Sequence, residues 1–221
     1  MKRINPLITG QIYHIFCRSI AEYKIFNSDD DYLQIMNLLQ YYQIEKPPTR
    51  FSFFLNLPNI QRSGFQGYFN LIAKDQNKLV EIIAYCLMPT HLHLVLKQLM
   101  NKGISLYMGK ILNSYSHFFN IKHQRKGPLW ESKFKNVLVE DDDQLFHLTR
   151  YVHLNPVTSF LVEKPSQWHY SSYLEYISKN KNQRISCTDL IEISPIEYKK
   201  FVEDQISYQR ELAKIKKVIL D

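Results

Sequence analysis

Cysteine is scarce in this chain and poorly placed for structural duty. Its three cysteines, Cys17, Cys86 and Cys187, are odd in number and show no CxxC spacing. That argues against a disulfide framework or a cysteine-based zinc site and for a reducing compartment. No apolar run approaches the roughly 18 residues that a membrane helix needs. Residues 1–10 are basic but lack the apolar core of a secretory signal. A cytoplasmic protein with no membrane partner is therefore expected. Internal repeats and low-complexity tracts are missing as well.

What is present fits a globular chain of one domain with appendages, or two small ones; 221 residues can bury a sizeable core. The net charge is +7 and the isoelectric point is near 9.1, which points to a polyanionic partner such as nucleic acid. Fifteen tyrosines and 13 phenylalanines offer stacking surfaces for unpaired bases, although most of these rings must serve the core.

Hydrophobic periodicity orders the chain. Residues 11–16 read as a first strand. Asn27-Ser28-Asp29-Asp30 starts a helix whose apolar stripe runs to about Tyr42, before Pro47-Pro48 stops it. Residues 46–78 are irregular and read as a loop-rich insertion, with 51–54 a candidate short strand. Residues 80–88 and 91–97 form a hairpin around Met88-Pro89-Thr90, expected at the centre of a sheet. A helix follows over 104–121, then a strand over 133–139. Asp141, Asp142 and Asp143 open a helix expected to end near Asn155, because Pro156 disfavours helix at the residue before it. Ser194-Pro195-Ile196-Glu197 has capping-box spacing, and a charged amphipathic helix closes the chain.

Two spacings carry chemistry. His91 and His93 flank Leu92 on a strand, so both imidazoles share one face while Leu92, Leu94 and Leu96 take the other. Side by side they are candidate metal ligands. Tyr151 and Asn155 lie one helical turn apart. Together these suggest a metal-assisted tyrosine nucleophile acting on a phosphodiester. Lys122, Arg125, Lys126, Lys133 and Lys135 form a basic cluster near these elements, a candidate contact for a DNA backbone. His147 is a possible helper one turn before Tyr151. His153 is expected to be structural; His14, on the first strand, could approach the site but is expected to serve the core or a sheet edge.

Tyr85-Cys86-Leu87-Met88-Pro89-Thr90-His91-Leu92-His93-Leu94-Val95 resembles the strand of the single-tyrosine HUH transposases. Gly127-Pro128-Leu129-Trp130-Glu131-Ser132-Lys133-Phe134-Lys135 and Arg150-Tyr151-Val152-His153-Leu154-Asn155-Pro156-Val157 are most similar to their REP-associated branch. Ser171-Ser172-Tyr173 and Tyr13-His14-Ile15-Phe16 fit too, so the likeness runs in order over about residues 10–175. It implies an α+β, ferredoxin-like antiparallel sheet with helices packed on it, the histidines on a central strand and the tyrosine on a helix. Residues 176–221 would be a helical extension.

The resemblance also implies cleavage and rejoining of single-stranded DNA near hairpins through a covalent 5′-phosphotyrosine. Tyr151 would be the nucleophile, and His91, His93 and Asn155 ligands of Mg²⁺ or Mn²⁺, in a monomer or homodimer. Two features depart from the pattern. The 46–78 stretch is longer than the family's usual link, and Thr90 stands where Asn is expected. Two other readings stay open: a hairpin-binding module without transposition activity, and a phosphodiesterase that uses water in place of tyrosine.

Overall fold

Alternating apolar positions build a four-stranded sheet in the computed structural model, which describes residues 6–178 and 193–220. Cys187 and most of the link into the C-terminal extension lie outside these residues. Strand β1 (Ile12–Arg18) leads through a short 3-10 turn to α1 (Asp29–Tyr41), α2 (Phe51–Leu55) and α3 (Pro58–Ala73). Next come β2 (Val80–Met88), β3 (His91–Gln98), α4 (Gly103–Lys122), β4 (Lys135–Leu138) and α5 (Asp142–Thr158). Helices α6 (Tyr173–Ile177), α7 (Pro195–Glu203) and α8 (Ile206–Leu220) finish the chain.

The spatial order is β2-β3-β1-β4, with every neighbouring pair antiparallel. The units β1-α1-β2 and β3-α4-β4 interleave, each placing its two strands on either side of a strand from the other. This is the ferredoxin-like α+β arrangement. Of the hairpin expected at the sheet centre, β3 is central and β2 is an edge strand.

The two faces carry different cargo. Tyr13, Ile15 and Cys17 of β1 join Leu92, Leu94 and Leu96 of β3 in the main core, which includes Ile35 and Leu38 of α1 and Tyr107 and Tyr115 of α4. The buried tyrosines keep their hydroxyls bonded: Tyr107 donates to Leu39 O at 2.8 Å and Tyr115 to Ile25 O at 2.6 Å. A bulge between Ile82 and Ala84 shifts the β2 register, so Ala84, Cys86 and Met88 stand opposite Val95, His93 and His91. Helix α5 covers this second face through Leu145 and Val152. It packs chiefly on β2 and β3, leaving the β1–β4 half open, where Val137 is 46% exposed.

Residues 46–78 are helical, not loop-rich, and 51–54 lie in α2, not in a strand. Phe51, Phe54 and Phe69 turn inward onto Tyr41, with the Phe54 ring 4.6 Å from it. Gly64, at φ +70°, interrupts α3 and breaks the helical period there.

Helix α5 also runs past Asn155, with Pro156 inside its last turn. Proline removes the donor that Val152 O would otherwise receive. The Asn155 side-chain amide supplies a substitute, donating to Tyr151 O at 2.9 Å and reaching Val152 O at 3.5 Å.

Candidate active site

His91 and His93 project from β3 on the face that α5 covers, with ring centroids 5.0 Å apart and planes at 84°. Each has one nitrogen held from behind. Thr90 Oγ1 bonds His91 Nδ1 at 3.0 Å, and His14 Nε2 bonds His93 Nδ1 at 3.0 Å. Thr90, the departure noted in the sequence, thus orients the histidine after it. Both Nε2 atoms lack hydrogen-bond partners among the described residues.

Burial keeps these rings neutral. It lowers His91 to about 4, helped by the Arg18 charge, and His14 to about 4. His93 falls well below its ordinary value through burial and its neighbours His14, His91 and Arg18. Neutral imidazoles with Nδ1 bonded and Nε2 bare are what a metal ion requires.

Tyr151 lies over this pair, its ring 5.7 Å from His93 and 6.0 Å from His14, both edge-on. It stays 49% exposed, so its hydroxyl is open to solvent. Burial raises the phenol pKa, while the Arg18 charge and the neighbouring Asn155 side chain pull it back.

A buried polar chain fixes α5 in this position. Tyr198 donates to Thr149 Oγ1 at 3.0 Å, and its oxygen therefore accepts from His153 Nδ1 at 2.6 Å. His153 Nε2 then accepts from Ser172 Oγ at 2.7 Å. Ser172 itself is pinned to the β2 edge, accepting from Tyr85 N at 2.9 Å. His153 is buried and its pKa falls to about 3, so the neutral ring carries the chain of bonds, the structural part expected of it.

Asn155 is buried one turn beyond Tyr151, its nitrogen committed to the α5 carbonyls. With Tyr151, His147 and Arg150 it lines a cavity of about 250 Å³ that His14, His91 and His93 do not reach. His147 Nδ1 is bonded to Arg150 at 2.9 Å. Among the described residues no group of three or more His, Cys, Asp or Glu is arranged to hold a metal. A divalent ion would therefore depend on the two bare imidazole nitrogens, which fit it as neutral donors, whereas Asn155 lines the separate cavity.

The basic cluster separates into engaged and free members. Lys122 contacts the buried Asp31 carboxylate at 2.6 Å, and Arg125 donates to Asn120 Oδ1 and Pro128 O. Lys126, Lys133 and Lys135 are exposed and form no ion pair among the described residues. Trp130 donates to Leu112 O at 3.2 Å from a partly buried position.

His14, for which the sequence favours a core or edge role over an approach to the site, and Arg18, which no sequence motif marks, both belong to it. His14, Phe16 and Arg18 alternate along β1. Phe16 stands opposite His93 on one side and Lys135 on the other, and Arg18 stands opposite His91. The even-numbered face of β1 was a readable signal, but its pairing with β3 was not.

Residues 62–155 match the family described as "Transposase IS200 like". A Haemophilus influenzae protein described as "Putative REP-associated tyrosine transposase" is 28% identical over 103 residues, 42% of this chain and 58% of that protein. The chain thus spans a little over half of the curated relative it matches. A solved structure of a REP-associated tyrosine transposase bound to a REP hairpin superposes with a TM-score of 0.56. It covers 88% of this chain and 96% of the other at 13% identity, which shows a shared fold. These findings bear out the resemblance to REP-associated tyrosine transposases drawn from the motifs.

Proposed function

We propose that this protein cuts and rejoins single-stranded DNA beside a hairpin, forming a covalent bond between Tyr151 and a 5′-phosphate. The observation that carries this reading is a half-exposed tyrosine on α5, set edge-on against paired, neutral histidines of the sheet. The Tyr151 oxygen attacks phosphorus in line, the bond to the 3′ oxygen breaks, and the phenol proton ends on that 3′ hydroxyl. Attack by a free 3′ hydroxyl on the phosphotyrosine reverses these roles and rejoins the strand.

His91 and His93 would hold Mg²⁺ or Mn²⁺ through Nε2, with Asn155 supplying an oxygen. Bound there, the ion would withdraw charge from the phosphate and favour in-line geometry. Thr90 and His14 keep the two imidazoles oriented. Arg18, opposite His91, favours the phenolate and binds a strand phosphate. The open face carrying Phe16, Val137 and Lys135 offers a stacking surface and a positive charge to the incoming strand. A hairpin partner is supported by the REP hairpin bound to the solved relative.

The test uses hairpin oligonucleotides with single-stranded flanks taken from around the gene. Wild-type protein with Mg²⁺ or Mn²⁺ should give a labelled adduct on a denaturing gel, absent in Tyr151→Phe and His91→Ala. Cleavage that survives Tyr151→Phe would point to a water-using phosphodiesterase. Binding without any cleavage would point to a hairpin-binding module.

A further inference from the structure

Tyr151 borders two spaces, the histidine face of the sheet and the cavity between α5 and α8. We propose that the cavity is a nucleobase pocket, taking one base of the strand next to the scissile phosphate while that phosphate lies on the histidine side of Tyr151. The inference rests on the strand-cleavage reading above.

Size, lining and construction support it. At about 250 Å³ the cavity is smaller than the roughly 300 Å³ at which pockets for drug-sized molecules begin, a scale suited to one flat ring system. Leu154, Leu212 and Ala213 provide apolar walls for ring faces. Gln209 provides a carboxamide with no hydrogen-bond partner among the described residues, able to donate and accept at a base edge. The Thr158 hydroxyl donates to Asn155 O at 3.0 Å, which leaves its oxygen free to accept.

The surrounding charge is equally fixed. Arg150 lies over the Phe201 ring at 4.2 Å and is bonded to His147, placing a rigid cation beside the opening for a flanking phosphate. Helix α8 is tied to the end of α5, because Arg210 donates to Val157 O at 3.3 Å and Val162 O at 3.0 Å. The C-terminal helix thereby completes a binding wall beside the nucleophile.

The experiment uses flanked hairpin oligonucleotides in which one abasic residue is moved through each flank. Binding is read by anisotropy with the full chain carrying Tyr151→Phe, and cleavage with the unaltered chain. One abasic position beside the cut should weaken binding at least about tenfold, in line with loss of a stacked base. In Ala213→Trp, which fills the cavity, that penalty should vanish and the intact oligonucleotide should bind as weakly as the abasic one. Gln209→Ala should keep the preference for a base over an abasic residue but lose discrimination among the four bases. Should circular dichroism show Ala213→Trp unfolded, Leu212→Phe carries the same filling test.

DNA that is bound and cut with no sensitive abasic position, or with a penalty unchanged on filling, overturns the pocket and leaves the cleavage reading standing. A wild-type chain that neither binds nor cuts any flanked hairpin overturns the cleavage reading, and the pocket with it.

Discussion

At the scale of single residues, the site depends on which polar groups are already occupied. Arg18 stands opposite His91 and is the cation that draws the half-exposed Tyr151 phenol down. Replacing it with alanine raises that pKa further, so less phenolate forms at neutral pH. Adduct formation by Arg18→Ala should fall near pH 7, with the rise of its pH–rate profile moved to higher pH. Lys122 works elsewhere. Burial pushes the Asp31 carboxyl up, but the Lys122 hydrogen bond, the Asn27 amide, the Lys122 charge and the Ser28 side chain hold it below its ordinary value. Lys122→Met should cost about 2 kcal/mol in urea unfolding, less than a fully buried pair would because Lys122 is part exposed. His91, His93 and Tyr151 are legible in the sequence because strand alternation and helical spacing are local. His14 and Arg18 are not, because their places depend on a strand pairing that joins residues about 80 positions apart.

Among the elements, α5 decides whether the tyrosine meets the histidines, and its docking depends on a neutral His153. The folded-state pKa is lowered to about 3, so the unfolded chain binds the proton more readily. This contribution is complete above the ordinary value near 6.5 and is lost as pH falls from there towards 3. By pH 5 about 2 kcal/mol of it should already be lost for His153 alone. Urea unfolding at pH 7 and pH 5 checks this: His153→Leu should be less stable at pH 7 but lose less on acidification. The start of α5 is legible from its acidic first turn. Its end is not, because the Asn155 amide compensates for Pro156, a tertiary-scale remedy for a local rule. The α2–α3 insertion escapes for a related reason: short helices broken at Gly64 leave too few turns for a period to emerge.

For the molecule as a whole, the two-faced sheet separates stability from function. One face carries the core, and the other is only half covered by α5, so the uncovered half with Lys135 is available to a polyanion. Binding of flanked hairpins should weaken steeply with salt. Replacing Lys126, Lys133 and Lys135 together by alanine should flatten the dependence of log K on log salt by up to about 2, at roughly 0.7 per single-strand phosphate contact. An unchanged slope would remove these lysines from the interface. Net positive charge is visible in composition, but which cations are free of internal partners is a property of the fold.

The most direct test of the central claim is to map the covalent bond itself. After incubation with a flanked hairpin and Mg²⁺ or Mn²⁺, the protein would be digested and its peptides analysed by mass spectrometry. A nucleotide attached through a 5′-phosphate to the peptide containing Tyr151, and to no other residue, is the expected product. Cleaved DNA with an unmodified Tyr151 peptide, or a nucleotide on a different side chain, would contradict that claim.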